Sequence, residues 1–375
     1  MIDGIYFNMP FHEYLSINRL SNTALQKLMI SPATFWASSW LNPNKPSPDD
    51  TKAQILGRAY HAARFEPKAF HDQFTRALEK ADYDGIDGAL FNGAEIGEAL
   101  FLRGESKKKA GETVLEQSQR LQATGYDGPI WPIKQAAWAE SIGARIPIPA
   151  DHWNNILADM KRIDAIPEIS KLMRGGAAEV TVLWTEKGVP FKARFDKLKP
   201  KLFLDFKTFE NSQGKNLDHC ISDAIRFNRY YIQIAFYYHV TELIRKGALE
   251  VIGDASPDER ALIEAVRGNP DDLEAWLVFQ EKRGVPNIVA RKVQLFTTPL
   301  SNRVNGAGLS DEVNRKVDRM TRHKSALLTK AEWEINRAVT DFVNYSEIYE
   351  PGQEWVPFNP IGETTDEDFP QYWFE

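Results

Sequence analysis

The sequence holds a single cysteine among its 375 residues, Cys220. One thiol excludes an internal disulfide framework and a zinc site built on cysteines, and it is typical of a protein of the reducing cytoplasm. The seven histidines are scattered along the chain and show no spacing typical of zinc ligands. We therefore expect a cytoplasmic protein without a disulfide scaffold or a cysteine-based metal site.

Long apolar runs and an excess of positive charge are also missing. No run is long and apolar enough to cross a membrane, and the opening Met1-Ile-Asp-Gly is not a secretory leader. The formal net charge is −6, which lacks the basic balance of a simple DNA-binding protein. With 43% hydrophobic residues, the chain is able to bury a substantial core. We expect no membrane partner.

Charge is placed unevenly along the chain. Residues 102–120 and 313–324 lean basic, whereas residues 345–375 carry acids and no lysine or arginine. An enzyme that threads DNA through a basic channel beneath an acidic exterior has this pattern, and so does a protein that binds no DNA. The charge distribution therefore does not decide between these two classes.

The most informative stretch contains two short runs in which apolar and polar side chains alternate. These runs are residues 191–198 and 202–207. The alternation predicts two β-strands, and Lys199-Pro-Lys201 between them predicts a tight turn. The two runs are therefore predicted to form a β-hairpin.

The predicted hairpin brings charged side chains opposite one another. With the turn centred near Pro200, Asp196 lies opposite Asp205 and Arg194 lies opposite Lys207. Two facing carboxylates repel unless a cation lies between them, and Mg²⁺ prefers one or two carboxylates with water and phosphate oxygens. Lys207 shares a face with Asp205, so it is placed to orient an attacking water or to neutralise charge on a phosphate. A solvated strand face is the alternative interpretation.

Residues 217–246 are the strongest helix prediction. Gln233 and Tyr237 are four residues apart and therefore share a face of this helix. The same side carries three further residues one or two turns earlier: Arg226, Arg229 and Tyr230. Such a polar and aromatic stripe suits contact with a nucleic-acid strand or support of a lysine and a water. Packing within a buried helix is the alternative interpretation.

The order of these motifs resembles that of the PD-(D/E)xK nuclease superfamily. The motifs in chain order are His61, Asp196, Asp205-Phe-Lys207 and Gln233-Ile-Ala-Phe-Tyr237. Within the superfamily, the chain most resembles the nuclease domain of exodeoxyribonuclease VIII, the RecE-type recombination exonuclease of phages and prophages. Three segments near the start also fit that group: Tyr14 to Leu28, Ser31-Pro-Ala-Thr-Phe-Trp36 and Gly57-Arg-Ala-Tyr-His61-Ala. The resemblance runs from about residue 10 to about residue 350, and Phe195 stands where the superfamily often has proline.

The resemblance implies a role for each matching residue. Asp196 and Asp205 would hold one or two Mg²⁺ or Mn²⁺ ions, with His61 and the backbone carbonyl of Phe206 as further ligands. Lys207 would orient the nucleophilic water. Gln233 and Tyr237 would support the site, and Glu179 would be an additional acid. The residues implied in nucleic-acid contact are Arg226, Arg229 and Tyr230.

The resemblance also implies an α/β fold with a restriction-endonuclease-like core, in which helices flank a central mixed β-sheet. The pattern along the chain agrees, with a helix near 151–174, strands at 179–185, 190–197 and 202–207, and strands at 276–280 and 289–296. A helix over 310–345 is predicted to close the fold. We predict one nuclease domain and a tail, with these bounds: domain 1–350, variable helical insertion 80–150, short insertion 253–270, and acidic aromatic tail 351–375.

The leading functional hypothesis is a metal-dependent exonuclease that digests double-stranded DNA ends in phage-type recombination or repair. The family implies a ring-shaped homo-oligomer and a single-strand annealing recombinase as partner. A single-strand or structure-specific nuclease of the same fold is a second hypothesis. A third is a non-catalytic phage accessory protein that binds a partner and needs no metal.

Overall fold

The computed structural model describes residues 1–46, 51–269, 273–282, 287–297 and 323–356. The chain divides into two compact units. The first comprises 1–49, 171–280 and 287–375, and the second comprises 50–170 and 281–286. None of the helices in the described ranges has the length and apolar character needed to cross a membrane.

The secondary structure begins with a strand and several short helices. The elements up to residue 173 are β1 (Gly4–Tyr6), α1 (Phe11–Ser16), α2 (Asn22–Ile30), α3 (Pro32–Ser38), α4 (Lys52–Phe65), α5 (Pro67–Gln73), β2 (Phe74–Arg76), a 3₁₀ helix (Lys80–Tyr83), α6 (Gly93–Phe101), α7 (Val114–Ala123), α8 (Trp131–Ile142), β3 (Ile146–Ile148), α9 (Ala150–Ala165) and α10 (Pro167–Met173). The later elements are β4 (Ala177–Glu186), β5 (Val189–Lys199), β6 (Leu202–Phe209), α11 (Leu217–Phe227), α12 (Tyr230–Arg245), α13 (Pro257–Arg267), β7 (Glu274–Glu281), β8 (Ile288–Val293), β9 (Phe296–Thr297), β10 (His323–Lys324) and α14 (Ala326–Ile348).

The first unit is built on a six-stranded sheet with strand order β1-β4-β5-β6-β7-β8. In this sheet β1 pairs with β4, β4 with β5, β5 with β6, and β7 with β8, and each of these pairs is antiparallel. One hydrophobic core joins the sheet to helices on the same unit, and it includes Phe195, Phe203, Phe236 and Phe279. The predicted α/β class, with a central mixed sheet flanked by helices, is confirmed.

The central meander forms because each connection uses a two-residue turn. Glu186 pairs with Val189, and the two residues between them, Lys187 and Gly188, both have positive φ, at 51° and 79°. Positive φ at both positions is the backbone twist that a tight hairpin requires. Lys199 pairs with Leu202 across the predicted Pro200 turn. The three predicted strands of the meander are therefore confirmed, and each is two or three residues longer in total than predicted.

The prediction of one continuous helix over 217–246 is wrong, because the chain forms two helices there. Helix α11 ends at Phe227, and α12 begins at Tyr230 after Arg229, which adopts a left-handed backbone with φ 50°. The predicted helix at 151–174 is likewise divided into α9 and α10, since Pro167 cannot continue the hydrogen bonding of α9. Apolar periodicity alone does not register such local breaks.

The closing helix is shorter at its start than predicted, within the part of the chain that is described. Ser325 caps α14 through a bond from the Leu328 N–H, and residues 323–324 are a strand. Residues 310–322 of the predicted helix lie outside the described residues, as does most of the basic stretch at 313–324.

The beginning of the predicted acidic tail packs on its own unit. Trp355 is buried and contacts the rings of Phe35, Phe342 and Tyr345 at centroid distances of 5.3, 5.9 and 5.4 Å. Residues 357–375 lie outside the described residues. The separation of a tail at residue 351 stays a prediction.

The second unit consists of helices α4 to α9 with the short parallel pair β2 and β3. A small core of Ile96, Leu100, Leu121 and Ile130 joins α6, α7 and the start of α8. The predicted insertion at 80–150 lies within this unit, which starts earlier, at residue 50. The assignment of 1–350 as one domain with insertions at 80–150 and 253–270 stays a prediction, and the second insertion contains α13.

Candidate active site

The β5–β6 hairpin brings two predicted site residues, Asp196 and Asp205, close together. The pairs Lys197↔Leu204, Leu198↔Phe203 and Lys199↔Leu202 set the register, and one further step places Asp196 across from Asp205. At that step the Phe206 N–H donates to a carboxylate oxygen of Asp196 at 2.7 Å. The backbone of β6 therefore holds the carboxylate of Asp196 directly beside Asp205.

Asp205 lies at the centre of a group that we call the Asp205 network: Asp205, Lys207, Gln233 and Tyr237. Its side chain is 1% exposed, and Oδ2 lies 2.7 Å from the Lys207 ammonium nitrogen. The amide of Gln233 donates to Oδ1 at 2.7 Å. A buried carboxylate is tolerated when a cation and a hydrogen-bond donor compensate its charge, and Asp205 has both.

Helix α12 supplies the rest of this network. Gln233 and Tyr237 lie one turn apart, and the Gln233 amide also donates to the Tyr237 hydroxyl at 3.1 Å. The hydroxyl in turn donates to the backbone carbonyl oxygen of Arg194 at 2.6 Å. The shared face predicted for Gln233 and Tyr237 is present, and it links β6 to β5.

Electrostatics at the network follow from the buried negative charge. Burial lowers the pKa of Lys207, but the charges of Asp205 and Asp196 outweigh that effect, so the pKa is raised above its ordinary value. Burial, together with the same two aspartates, raises the pKa of Tyr237 well above its ordinary value. Lys207 is therefore a cation and Tyr237 a neutral donor at physiological pH. The Lys207 side chain is still 19% exposed, so solvent reaches it.

Glu179 forms a second group, the Glu179 network, with Arg194, Thr181 and the backbone of Met9. Glu179 is 6% exposed, and a carboxylate oxygen lies within 4.8 Å of one of Asp196. The guanidinium of Arg194 forms an ion pair with Glu179, donates to the Met9 carbonyl at 2.7 Å and to Thr181 Oγ1 at 3.3 Å. This arrangement places a third carboxylate beside Asp196.

The backbone of Glu179 is unusual for a strand residue, with φ 56°. The residues on either side of it keep regular antiparallel pairing with β5, Ala178 with Lys197 and Val180 with Phe195. Left-handed backbone in a non-glycine residue is costly and concentrates at functional sites. The distortion turns Glu179 out of regular strand geometry at the position next to Asp196.

Arg194 has a partner that the sequence pattern did not name. The pattern placed Arg194 opposite Lys207, and the register that pairs Lys197 with Leu204 leads to the same position. The Arg194 side chain pairs with Glu179, and the Lys207 side chain pairs with Asp205. Sequence reasoning therefore missed Arg194 as the partner of Glu179. The available signal was the charged pair Lys192 and Arg194 on a strand whose neighbours are strongly apolar, because such charges need buried partners.

The predicted nucleic-acid residues are divided by the break between α11 and α12. Arg226 lies on α11, exposed, with its guanidinium carbon 5.5 Å from the centre of the Phe227 ring, and Arg229 lies in the break. Their predicted placement on one face with Gln233 is therefore wrong. Tyr230 is next to the site, since the Lys207 ammonium nitrogen lies 4.9 Å from its ring centre.

Two predicted metal ligands keep that role as a prediction. His61 lies in the second unit on α4, half-buried, with its ring centre 4.8 Å from that of Phe65. Phe206 contributes its N–H to Asp196, as described above, and its carbonyl oxygen was the predicted ligand.

The donor set of the first unit fits a hard divalent cation. Three carboxylates, Glu179, Asp196 and Asp205, are gathered on neighbouring strands, and no cysteine lies among them. Mg²⁺ and Mn²⁺ favour carboxylate, carbonyl and water oxygens. The residues present therefore match the chemistry of a magnesium or manganese site.

Comparison with known proteins gives one family match. Residues 135–252 match the model of a family described as "PDDEXK-like domain of unknown function (DUF3799)". The matched range is less than half of the chain, and it contains Glu179, Asp196, Asp205, Lys207, Gln233 and Tyr237 but not His61. The chain is thus similar, over its meander and α12, to a PDDEXK-like domain, while the finer resemblance to the RecE-type group stays a prediction.

Searches for individual relatives add little. No curated protein sequence matches the chain. Among solved structures, the chain is similar to one described as "Putative exonuclease" from Eubacterium rectale, at 13% identity, covering 77% of this chain and 97% of the other. The TM-score of this likeness is 0.29.

Proposed function

We propose that the protein is a metal-dependent deoxyribonuclease that hydrolyses phosphodiester bonds. The observation that carries this proposal is the Asp205 network. In it, the buried Asp205 carboxylate contacts the ammonium group of Lys207, two residues later, and accepts a hydrogen bond from the Gln233 amide of α12. Asp196 and Glu179 lie beside it. The similarity of residues 135–252 to a PDDEXK-like domain supports the same class of enzyme.

The chain's own residues have separate tasks in this proposal. Lys207 remains protonated, so it donates hydrogen bonds to an attacking water or to a phosphate oxygen on which charge develops. Gln233 fixes the orientation of Asp205, because its neutral amide donates to the carboxylate without neutralising it, and the Tyr237 hydroxyl accepts a hydrogen bond from the same amide. Glu179, Asp196 and Asp205 would hold the divalent ion, which supplies an activated water and charge stabilisation in phosphoryl transfer.

Within this class, we propose an exonuclease that acts on double-stranded DNA ends, as the motif order from Asp196 to Tyr237 implies. Tyr230, beneath Lys207, and Arg226, exposed on α11, are the proposed DNA contacts of the first unit. Arg229, His61 and Phe206 keep their predicted roles. A homo-oligomeric assembly, an annealing recombinase partner and a role in phage recombination are expectations of the family resemblance, and the chemistry above does not require them.

The test is digestion of end-labelled linear duplex DNA with Mg²⁺, with Mn²⁺, with EDTA and with a Lys207→Ala variant. We expect metal-dependent loss of label that the variant abolishes, and resistance of covalently closed circles. Equal cutting of circles and linear duplex excludes the exonuclease. Faster cutting of flaps or single strands supports a structure-specific nuclease instead. No cleavage of any DNA, with no Mg²⁺ or Mn²⁺ binding by calorimetry, overturns the proposal and supports a binding protein.

A further inference from the structure

We propose that Arg194 is a positioning residue that sets the Glu179 carboxylate beside Asp196 and so completes the acidic site. This inference rests on the proposed function. It assigns a task to a buried arginine whose side chain forms an ion pair with Glu179.

The backbone of Glu179 requires something to hold it. With φ 56° in the middle of β4, the residue lies in a conformation that the sheet does not itself stabilise. The ion pair with Arg194 is a side-chain contact that does fix it, and both side chains are buried. A strained backbone that persists must be held by its surroundings.

Arg194 is itself held rigidly, which a positioning residue must be. Its Nη1 donates to the Met9 carbonyl at 2.7 Å, and its guanidinium carbon lies 5.9 and 5.8 Å from the ring centres of Phe11 and Tyr14. A planar guanidinium with fixed partners delivers its remaining donors in one direction. The segment from Met9 to Tyr14 thus fixes the arginine, and the arginine fixes Glu179.

The same residue also connects to the Asp205 network through its main chain. The Tyr237 hydroxyl donates to the Arg194 carbonyl oxygen at 2.6 Å. The side chain of Arg194 therefore contacts Glu179 directly. Its carbonyl oxygen is linked to Asp205 through the Tyr237 hydroxyl and the Gln233 amide. A shift of Arg194 would alter the separation of these carboxylates.

A purely structural role for Arg194, tying residues 9–17 to β5, is the alternative, and the chain offers a matched control for it. Lys192, two residues earlier on the same strand, is also buried. Its ammonium nitrogen lies 2.9 and 2.8 Å from the carbonyl oxygens of Tyr14 and Ile17. Lys192 thus holds the same segment through carbonyl groups and not through an acid of the site.

The experiment measures Mn²⁺ binding to the full chain by calorimetry, without DNA. The variants are Glu179→Gln, Arg194→Met, Arg194→Lys, the double variant Glu179→Gln/Arg194→Met, and Lys192→Met. Outer partners of metal ligands typically change metal affinity by about 10- to 100-fold. We expect Arg194→Met and Glu179→Gln each to weaken binding by roughly that factor, and the double variant to bind no more weakly than either. Arg194→Lys should recover part of the loss, and Lys192→Met should stay within about twofold of the unaltered protein.

The sign of the effect separates positioning from simple electrostatics. Removing a cation near a metal site strengthens cation binding if the arginine acts only through its charge. Tighter or unchanged binding in Arg194→Met, additive losses in the double variant, or an equal loss in Lys192→Met would each overturn the inference. Near-ultraviolet circular dichroism checks folding, and the double variant, which leaves no buried unpaired charge, serves if Arg194→Met does not fold. Absence of Mn²⁺ binding by the unaltered protein overturns the proposed function itself.

Discussion

The two acidic groups of the candidate site are held in different ways. The Asp205 network uses a neutral amide and a lysine from the same strand, whereas the Glu179 network uses a buried arginine fixed by the N-terminal segment. Asp205 lies in regular strand geometry, while Glu179 has a left-handed backbone. The cation of the Asp205 network is thus two residues from its aspartate, whereas the arginine of the Glu179 network is fixed by a carbonyl 185 residues away in the chain.

This difference predicts different consequences for activity and for stability. Changes in the Asp205 network should reduce cleavage most, because Lys207 and Asp205 are the groups proposed to meet the substrate and its water. Changes in the Glu179 network should reduce stability most, because a buried ion pair leaves an uncompensated charge when one partner is removed. Four measurements test the comparison.

The largest expected effect is on cleavage by Asp205→Asn, which keeps the shape of the side chain and removes its charge. We expect kcat/KM on linear duplex DNA to fall by about 10³-fold or more, since charge at the reacting centre is lost. Glu179→Gln should fall by only about 10- to 100-fold. Asp223→Asn, at an exposed acid paired with Lys215, is the control and should be unchanged. Equal losses for Asp205 and Glu179 would remove the distinction between the networks.

The second effect is on stability, and here the change in the Glu179 network should cost more than the change in the Asp205 network. Glu179→Ala leaves the buried Arg194 without its carboxylate, so the free energy of unfolding should fall by about 4 kcal/mol. Gln233→Ala removes hydrogen bonds to a carboxylate that retains Lys207, and should cost about 2 kcal/mol. Urea denaturation followed by circular dichroism compares them. A larger loss for Gln233→Ala contradicts the assignment.

The third effect is a dependence of stability on pH, caused by Lys192 of β5, which holds the N-terminal segment. Burial, with a smaller contribution from Lys45, lowers the pKa of Lys192 to about 8. Between that value and the ordinary lysine pKa, the unfolded chain keeps a proton that the folded chain has lost, so stability rises with pH. The gain should reach as much as about 3 kcal/mol above pH 10. Urea midpoints at pH 7.5, 9 and 10.5, compared with Lys192→Met, isolate it. A difference between the two proteins that does not change with pH counts against a lowered pKa.

The smallest effect concerns the link between the networks. Tyr237→Phe removes the hydroxyl that joins Gln233 to the Arg194 carbonyl while the ring stays packed on Phe195 at 4.8 Å. We expect a loss of about 1 kcal/mol in unfolding free energy, the usual value for one buried hydrogen bond. Tyr238→Phe, on the same helix and half-buried, is the control. A loss larger than that for Glu179→Ala would show that the link, and not the ion pair, holds β5.

Much of the Asp205 network was predictable from sequence because each of its parts lies within one hairpin or one helix. Alternation gave the two strands, Pro200 gave the turn, and the register that follows places Asp196 across from Asp205. A separation of four residues gave the shared face of Gln233 and Tyr237. These inferences need only the periods of strands and helices, which the order of residues contains.

The errors arose where one residue changed the local backbone. Arg229 interrupts a segment whose apolar period runs on, so the helix over 217–246 was predicted as continuous and Arg226 was placed on the wrong face. The left-handed backbone of Glu179 was not predictable either, since neither glycine nor asparagine marks it. Conformations of single residues are decided by contacts that periodicity does not include.

The sequence by itself determined the strands, the turn, the spacing of Asp205 and Lys207, and the hypothesis of a metal-dependent nuclease. Only the tertiary structure decided that Glu179 lies beside Asp196 and that Arg194 joins Glu179 and not Lys207. The physical reason is that strand and helix periods give which residues share a face, whereas the left-handed backbone of Glu179 and the burial of the Arg194 guanidinium depend on tertiary packing. The contact of Arg194 with Met9, for example, spans 185 residues and exists only once the core has packed.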